Sequence, residues 1–97
     1  MCSCYILYSS NIGRFYIGST HIAVAERVLK HNAAAYGKDS YTAVTNDWEL
    51  FLNIPVKDFA HAVRIERKIK SMKSSRYIRN LKKYPEMVEK IVRNTST

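Results

Sequence analysis

Acidic residues are scarce in this 97-residue chain: eight, against sixteen Lys and Arg. Cysteine occurs twice, proline twice and glycine three times. Cys2 and Cys4 are two apart in an extended run and point the same way, so a bridge between them is geometrically poor. Two thiols alone make no structural zinc site, and His21, His31 and His61 add no ligand spacing. Ordinary strand thiols in a reduced, intracellular and hence cytoplasmic protein are expected. No apolar run is long enough to cross a bilayer, so no membrane partner is expected. The N-terminus lacks the basic region and cleavage site of a signal peptide. No internal repeat, low-complexity segment or linker is visible. What is present is a hydrophobic content of 46%, ordinary for a globular chain. The expectation is one domain over residues 1–94, with a frayed end at 95–97 and a monomer assumed.

The net charge of +8 is concentrated. Residues 64–83 hold nine basic side chains and one acid, Glu66, while the other seven basic residues are matched by seven acids. Charge runs are usually solvated helix faces. Clustering on this scale favours a polyanion, because bound phosphates release their counterions. Arg64, Lys68, Lys70, Lys73 and Arg76 are the candidate nucleic-acid contacts, without a distinction between DNA and RNA.

The segment CYILYSSNIGRFYIGST sets two β-prone runs, residues 2–9 and 14–18, around a turn with Asn and Gly, which predicts a hairpin. The alanine-rich, amphipathic run IAVAERVLKHNAAA predicts a helix over 22–35, with Val24, Val28, Ala25 and Leu29 inward, stopping before Gly37. WELFLNIPV reads as a third strand that Pro55 ends or confines to an edge. Asp58 suits the N-cap of a helix over 59–72 whose stripe is Ala62, Ile65, Ile69 and Met72. Ser75 is read as the cap of a short helix, and Pro85 as the first turn of a last one over 86–93. The order β-β-α-β-α-α-α predicts an α+β domain: a small three-stranded antiparallel sheet flanked by helices.

Five side chains attract chemistry. Tyr5 and Tyr16 fall on neighbouring strands, and strand packing is the plain alternative for both. Arg27 and His31, four apart on the first helix, are read as projecting away from the Val24/Val28 stripe, open to a ligand. Glu66 sits beside the Ile65/Ile69 stripe, where an ion pair to Lys70 is the alternative. Together they suit a phosphodiester: an Arg fork for phosphate oxygens, a carboxylate for a hydrated Mg²⁺, and phenols whose pKa nearby cations could lower. Trp48 is expected in the core, with base stacking as its lesser use.

The spacing of Tyr5, Tyr16, Gly18, Arg27 and Glu66 resembles the GIY-YIG nuclease superfamily. The matching segments are YILYS, GRFYIGST, ERVLKHN, NDWEL and AVRIERKIKSMKSSRYIRNL. They look closest to small standalone bacterial proteins related to the N-terminal nuclease domain of the excision-repair protein UvrC. The resemblance implies a divalent-metal-dependent endonuclease cutting DNA, in repair or recombination, with Mg²⁺ or Mn²⁺ held by Glu66. It implies Tyr5 or Tyr16 as general base, Arg27 on the phosphate and His31 beside it. Gly18 belongs to the second motif, and Ser19 stands where some relatives have lysine. A binding module that keeps the nuclease fold without activity is the alternative, and a protein partner could supply substrate specificity.

Overall fold

The computed structural model describes residues 2–96. Strand β1 (Cys2–Ser9) is buried along almost its whole length, a pattern that requires cover on both faces. It is the central strand. β2 (Arg14–Thr20) and β3 (Glu49–Val56) pair antiparallel to its two sides, in the order β2-β1-β3. Pro55 lies inside β3, an edge strand, where its missing N–H costs no ladder bond on the outer side.

The period of two sends alternate β1 residues to opposite layers. Cys4 and Ile6, with Ile54 and Val56 of β3, meet three helices: α2 (Phe59–Met72), α3 (Ser75–Lys83) and α4 (Pro85–Asn94). Their main inward side chains are Ala62, Ile65, Ile69, Ile78, Leu81 and Ile91. Each fully buried isoleucine contributes about 1.5–3 kcal/mol relative to exposure. Tyr5 and Leu7 point the other way, to Trp48 and to Val24 and Val28 of α1 (Val24–Asn32). The architecture is α+β, with one helix and a 3₁₀ turn (Tyr41–Val44) on one face of the sheet and three helices on the other.

The capping chemistry explains most helix boundaries. Asp58 accepts the His61 N–H at 2.8 Å, as expected of an N-cap. Ser74, not Ser75, caps α3 by accepting the Tyr77 N–H at 3.1 Å, after Lys73 turns the chain with φ 48°. The first helix is shorter than its periodicity: Thr20 Oγ1 accepts the Ile22 N–H and holds 20–22 out of it. Ala34, with φ 54°, ends it. Leu29 is 71% exposed and Ala25 is also outward, so neither joins the core. Met72 is likewise exposed.

The expected frayed end is anchored through Thr95: its carbonyl accepts from Arg64 Nε at 2.6 Å, and its hydroxyl lies 3.0 Å from His61 Nε2. Residue 97 lies outside the described residues. Among the described residues, no helix is long and apolar enough to cross a membrane.

Candidate active site

Register brings the two phenols together. Tyr5 pairs with Gly18 and Leu7 with Tyr16, so Tyr5, Tyr16 and Gly18 share one face of β1 and β2. The Tyr5 and Tyr16 ring centroids are 6.3 Å apart. Gly18 has no positive φ; its role is steric. A Cβ there would lie 2.7 Å from Tyr5 Cζ and Oη and 3.0 Å from Tyr16 Cε2. The absent side chain makes room for the Tyr5 phenol itself.

Tyr5 is fully buried and its hydroxyl is a junction. Arg27 Nε, which can only donate, does so to Tyr5 Oη at 3.4 Å. His31 Nε2 lies 2.9 Å from the same oxygen, and His31 Nδ1 lies 2.7 Å from Thr42 Oγ1. The arrangement that gives the Tyr5 proton an acceptor runs Arg27 to Tyr5 to His31 Nε2, with Nδ1–H donating to Thr42. His31 is therefore neutral. Burial, and then the Arg27 charge, push its pKa down to about 4.

This overturns the placement read from the first helix. At about 100° per residue, Val24, Arg27, Val28 and His31 fall on one arc, so His31 is 3% exposed rather than open to a ligand. Arg27 is half-buried, with its guanidinium 4.9 Å from the centroid of Tyr36.

The phenols also differ from expectation in acidity. Burial raises Tyr5 to about 12, outweighing Arg27. Burial, followed by the negative charge of Glu66, raises Tyr16 as well. In this state both are neutral hydroxyls at physiological pH. Burial likewise raises the Cys4 thiol to about 12, leaving it a packed side chain rather than a nucleophile.

Glu66 meets β2 from the α2 side, at Ser19, the residue after Gly18. Ser19 Oγ donates to its Oε1 at 2.5 Å, and Lys70 Nζ donates to Oε2 at 2.5 Å. The expected alternative, an i to i+4 ion pair, is thus present, with Lys70 largely exposed. The Ser19 contact, 47 residues away in sequence, was not expected. Among the described residues, no group of three or more His, Cys, Asp or Glu comes together.

The basic block does not form one face. Arg64 and Lys68 lie about half a turn around α2 from Glu66. Arg64 donates its Nε–H to the Thr95 carbonyl, which ties this side chain to the end of α4. Lys68 borders a groove of about 280 Å³ with Met72, Tyr77 and Met87. Lys73 and Arg76 stand exposed at the α2–α3 corner. Trp48 is 2% exposed and donates its Nε1–H to the Thr42 carbonyl at 2.8 Å, a core anchor as expected.

Thr42, Ser19, Tyr36 and Tyr41 were missed as site residues. Ser19 was read only as standing where some relatives have lysine; the other three lie in a polar run whose 3₁₀ turn has no periodicity to read.

Neither the curated proteins nor the solved structures yield a match to the chain. A sequence profile of the GIY-YIG catalytic domain matches residues 1–83, a span that contains Tyr5, Tyr16, Gly18, Arg27, His31 and Glu66. With a nuclease-type function as its consequence, the chain belongs to the GIY-YIG catalytic domain family.

Proposed function

We propose that the protein is a divalent-metal-dependent endonuclease that hydrolyses DNA phosphodiester bonds, acting in repair or recombination. The observation that supports it most is the Arg27–Tyr5–His31 hydrogen-bonded chain beside the Tyr16 ring, with Glu66 held at β2 by Ser19, the residue next to Gly18. Arg27 commits only Nε to Tyr5, and its terminal nitrogens make no hydrogen bond to the described residues. They form a planar fork for non-bridging phosphate oxygens.

The donor set fits a hard cation. Glu66 is a single carboxylate beside a hydroxyl, and Mg²⁺ prefers few protein ligands while keeping its waters. Glu66 would hold Mg²⁺ or Mn²⁺, with Lys70 swinging out of a weak exposed pair. A bound ion would supply Lewis-acid charge at the phosphate oxygens. Tyr16 orients the attacking water through a half-buried hydroxyl with no hydrogen-bond partner among the described residues. Tyr5, His31 and Thr42 act as positioning residues that hold the Arg27 fork. Water oxygen bonds to phosphorus as the ester P–O bond breaks, and the departing sugar oxygen takes up a proton to balance the one the water gives up.

The Glu66–Lys70 pair and the neutral phenols favour a second reading, a nucleic-acid-binding module without activity. Single-turnover nicking of branched, single-stranded and duplex DNA, with and without Mg²⁺, separates them. The enzyme cuts only with metal, and Glu66→Gln abolishes cutting while circular dichroism is unchanged. Cutting by Glu66→Gln at the wild-type rate would refute the metal assignment; binding without cutting on any substrate would leave the module.

A further inference from the structure

We propose that Tyr36 and Tyr41 form a stacking platform for an unstacked base beside the phosphate bound by Arg27, making DNA with a single-stranded segment the preferred substrate. The proposal rests on the endonuclease reading for the position of the phosphate. The rings themselves are the independent observation.

Both tyrosines are large, apolar-bodied and substantially exposed: Tyr36 by 41% and Tyr41 by 47%. Neither projects at random. The Tyr36 ring lies 4.9 Å from the Arg27 guanidinium and 4.9 Å from the His31 ring centroid. Tyr41 stacks on Tyr16, with centroids 6.0 Å apart and planes inclined by 23°. Trp48 backs the pair at 6.3 Å from each of Tyr16 and Tyr41. Each exposed ring is therefore held by a residue that faces the phosphate, one by Arg27 and the other by Tyr16. Trp48, the other aromatic considered for stacking, is buried and has no face to offer.

The chemistry follows from what an aromatic face can accept. Every base has a π-face, so stacking tolerates sequence, and arginine adds a cation–π contribution. In a duplex those faces are covered by neighbouring base pairs. Only a base already out of the stack, or one released at low cost, can lie on a tyrosine. Flaps, loops and single-stranded gaps supply such bases. The platform needs no base-edge hydrogen bonds and reads structure rather than sequence.

The test uses a DNA strand carrying one 2-aminopurine, free or annealed to its complement, in EDTA so that binding is measured without cleavage. Wild-type protein should quench the single-strand probe and bind it more tightly than the duplex. Tyr36→Leu and Tyr41→Leu should each weaken single-strand binding by about 5- to 150-fold and reduce quenching. The Phe variants, which keep the ring, should retain both. Leucine variants that bind and quench like wild type overturn the platform, as does wild-type protein that prefers the duplex. A second measurement needs no variant: a 5-iodouracil strand should photo-crosslink to Tyr36 or Tyr41, and crosslinks confined elsewhere overturn it. Failure to cut any DNA with Mg²⁺ sinks the endonuclease reading, whereas quenching and crosslinking report on the platform alone.

Discussion

Tyr5 Oη and His31 Nε2 lie 2.9 Å apart, so a residue of the central strand and one of the first helix share a buried hydrogen bond. Tyr16, one strand over, keeps its hydroxyl free of the described residues. Phenylalanine substitution should therefore separate the two. Tyr5→Phe leaves His31 without its partner and should cost about 1–3 kcal/mol in urea unfolding, with a modest loss of rate. Tyr16→Phe should leave stability within about 0.5 kcal/mol. If its hydroxyl handles the attacking water, single-turnover cleavage should fall by about 10²–10⁴. The reverse ordering of the two rates would exchange their roles.

Gly18→Ala tests the contact beneath the phenols. The added Cβ meets Tyr5 at 2.7 Å, inside any normal contact. Overpacking of this kind costs typically about 1–3 kcal/mol. Melting temperature and cleavage should fall together. An alanine variant with wild-type values for both would mean that the Tyr5 ring moves aside freely.

Acid should destabilise the protein through His31. Its pKa is about 4 in the folded state, below the unfolded value of 6.5. Between these values the unfolded chain binds the extra proton, so stability rises with pH across that window and is lost as pH falls through it. Arg27 is the charge beside it, and Thr42 and Tyr5 are its neutral partners. Urea midpoints from pH 7 to pH 4 should fall more steeply in wild type than in His31→Gln. Parallel profiles would assign that limb to other groups; a separate loss, at pH below the unfolded value of 3.8, is expected from Asp47, whose carboxylate bonds to Ser9, Thr45 and the Asn11 N–H. Those bonds hold the Asp47 pKa below the usual carboxylate range. Its stabilisation is present above the unfolded carboxylate pKa and lost at lower pH.

Lys70→Met distinguishes an ion pair from a metal ligand. An exposed i, i+4 pair contributes about 0.3–0.5 kcal/mol, so thermal stability should barely change. Removing a competing cation from Glu66 should lower the Mg²⁺ concentration needed for half-maximal cleavage. An unchanged or higher requirement argues against Glu66 as the ligand.

The salt dependence of DNA binding should follow the rearranged basic block. Replacing exposed Lys73 or Arg76 should each reduce the slope of log K against log salt by about one unit. Arg64→Ala should lower stability with little change of slope, since Arg64 donates to Thr95. A large slope change from Arg64 alone would show that its terminal nitrogens meet DNA phosphate.

The order of strands and helices was legible because the apolar periods of β1 and α2 agree with their propensities and with the Asp58 cap. Tyr5, Tyr16, Gly18, Arg27 and Glu66 were legible as a motif. The side on which His31 lies was not: Ala25 and Leu29, read as inward beside Val24 and Val28, turned the arc away from Arg27 and His31, yet both alanine and leucine are exposed. Thr42 and Ser19 enter through tertiary contacts spanning 11 and 47 residues, beyond any local pattern. The rise in phenol pKa was also out of reach, because burial of Tyr5 depends on Trp48 and α1 closing over it. The α1 boundaries depended on a Thr20 side-chain bond and one left-handed alanine, neither of which alters hydropathy.

Tyr36 and Tyr41 lie outside the strands and α-helices that carry Tyr5, Tyr16, Arg27 and Glu66. Apart from Thr42, which bonds to His31, and the core residue Trp48, the chain between α1 and β3 can therefore drift or exchange in evolution while the hydrolytic residues stay in register. Under the stacking proposal, descendants of this domain could acquire new DNA targets by rewriting parts of the connecting loop. Such a division of labour makes the segment a natural place to graft altered preference in the laboratory.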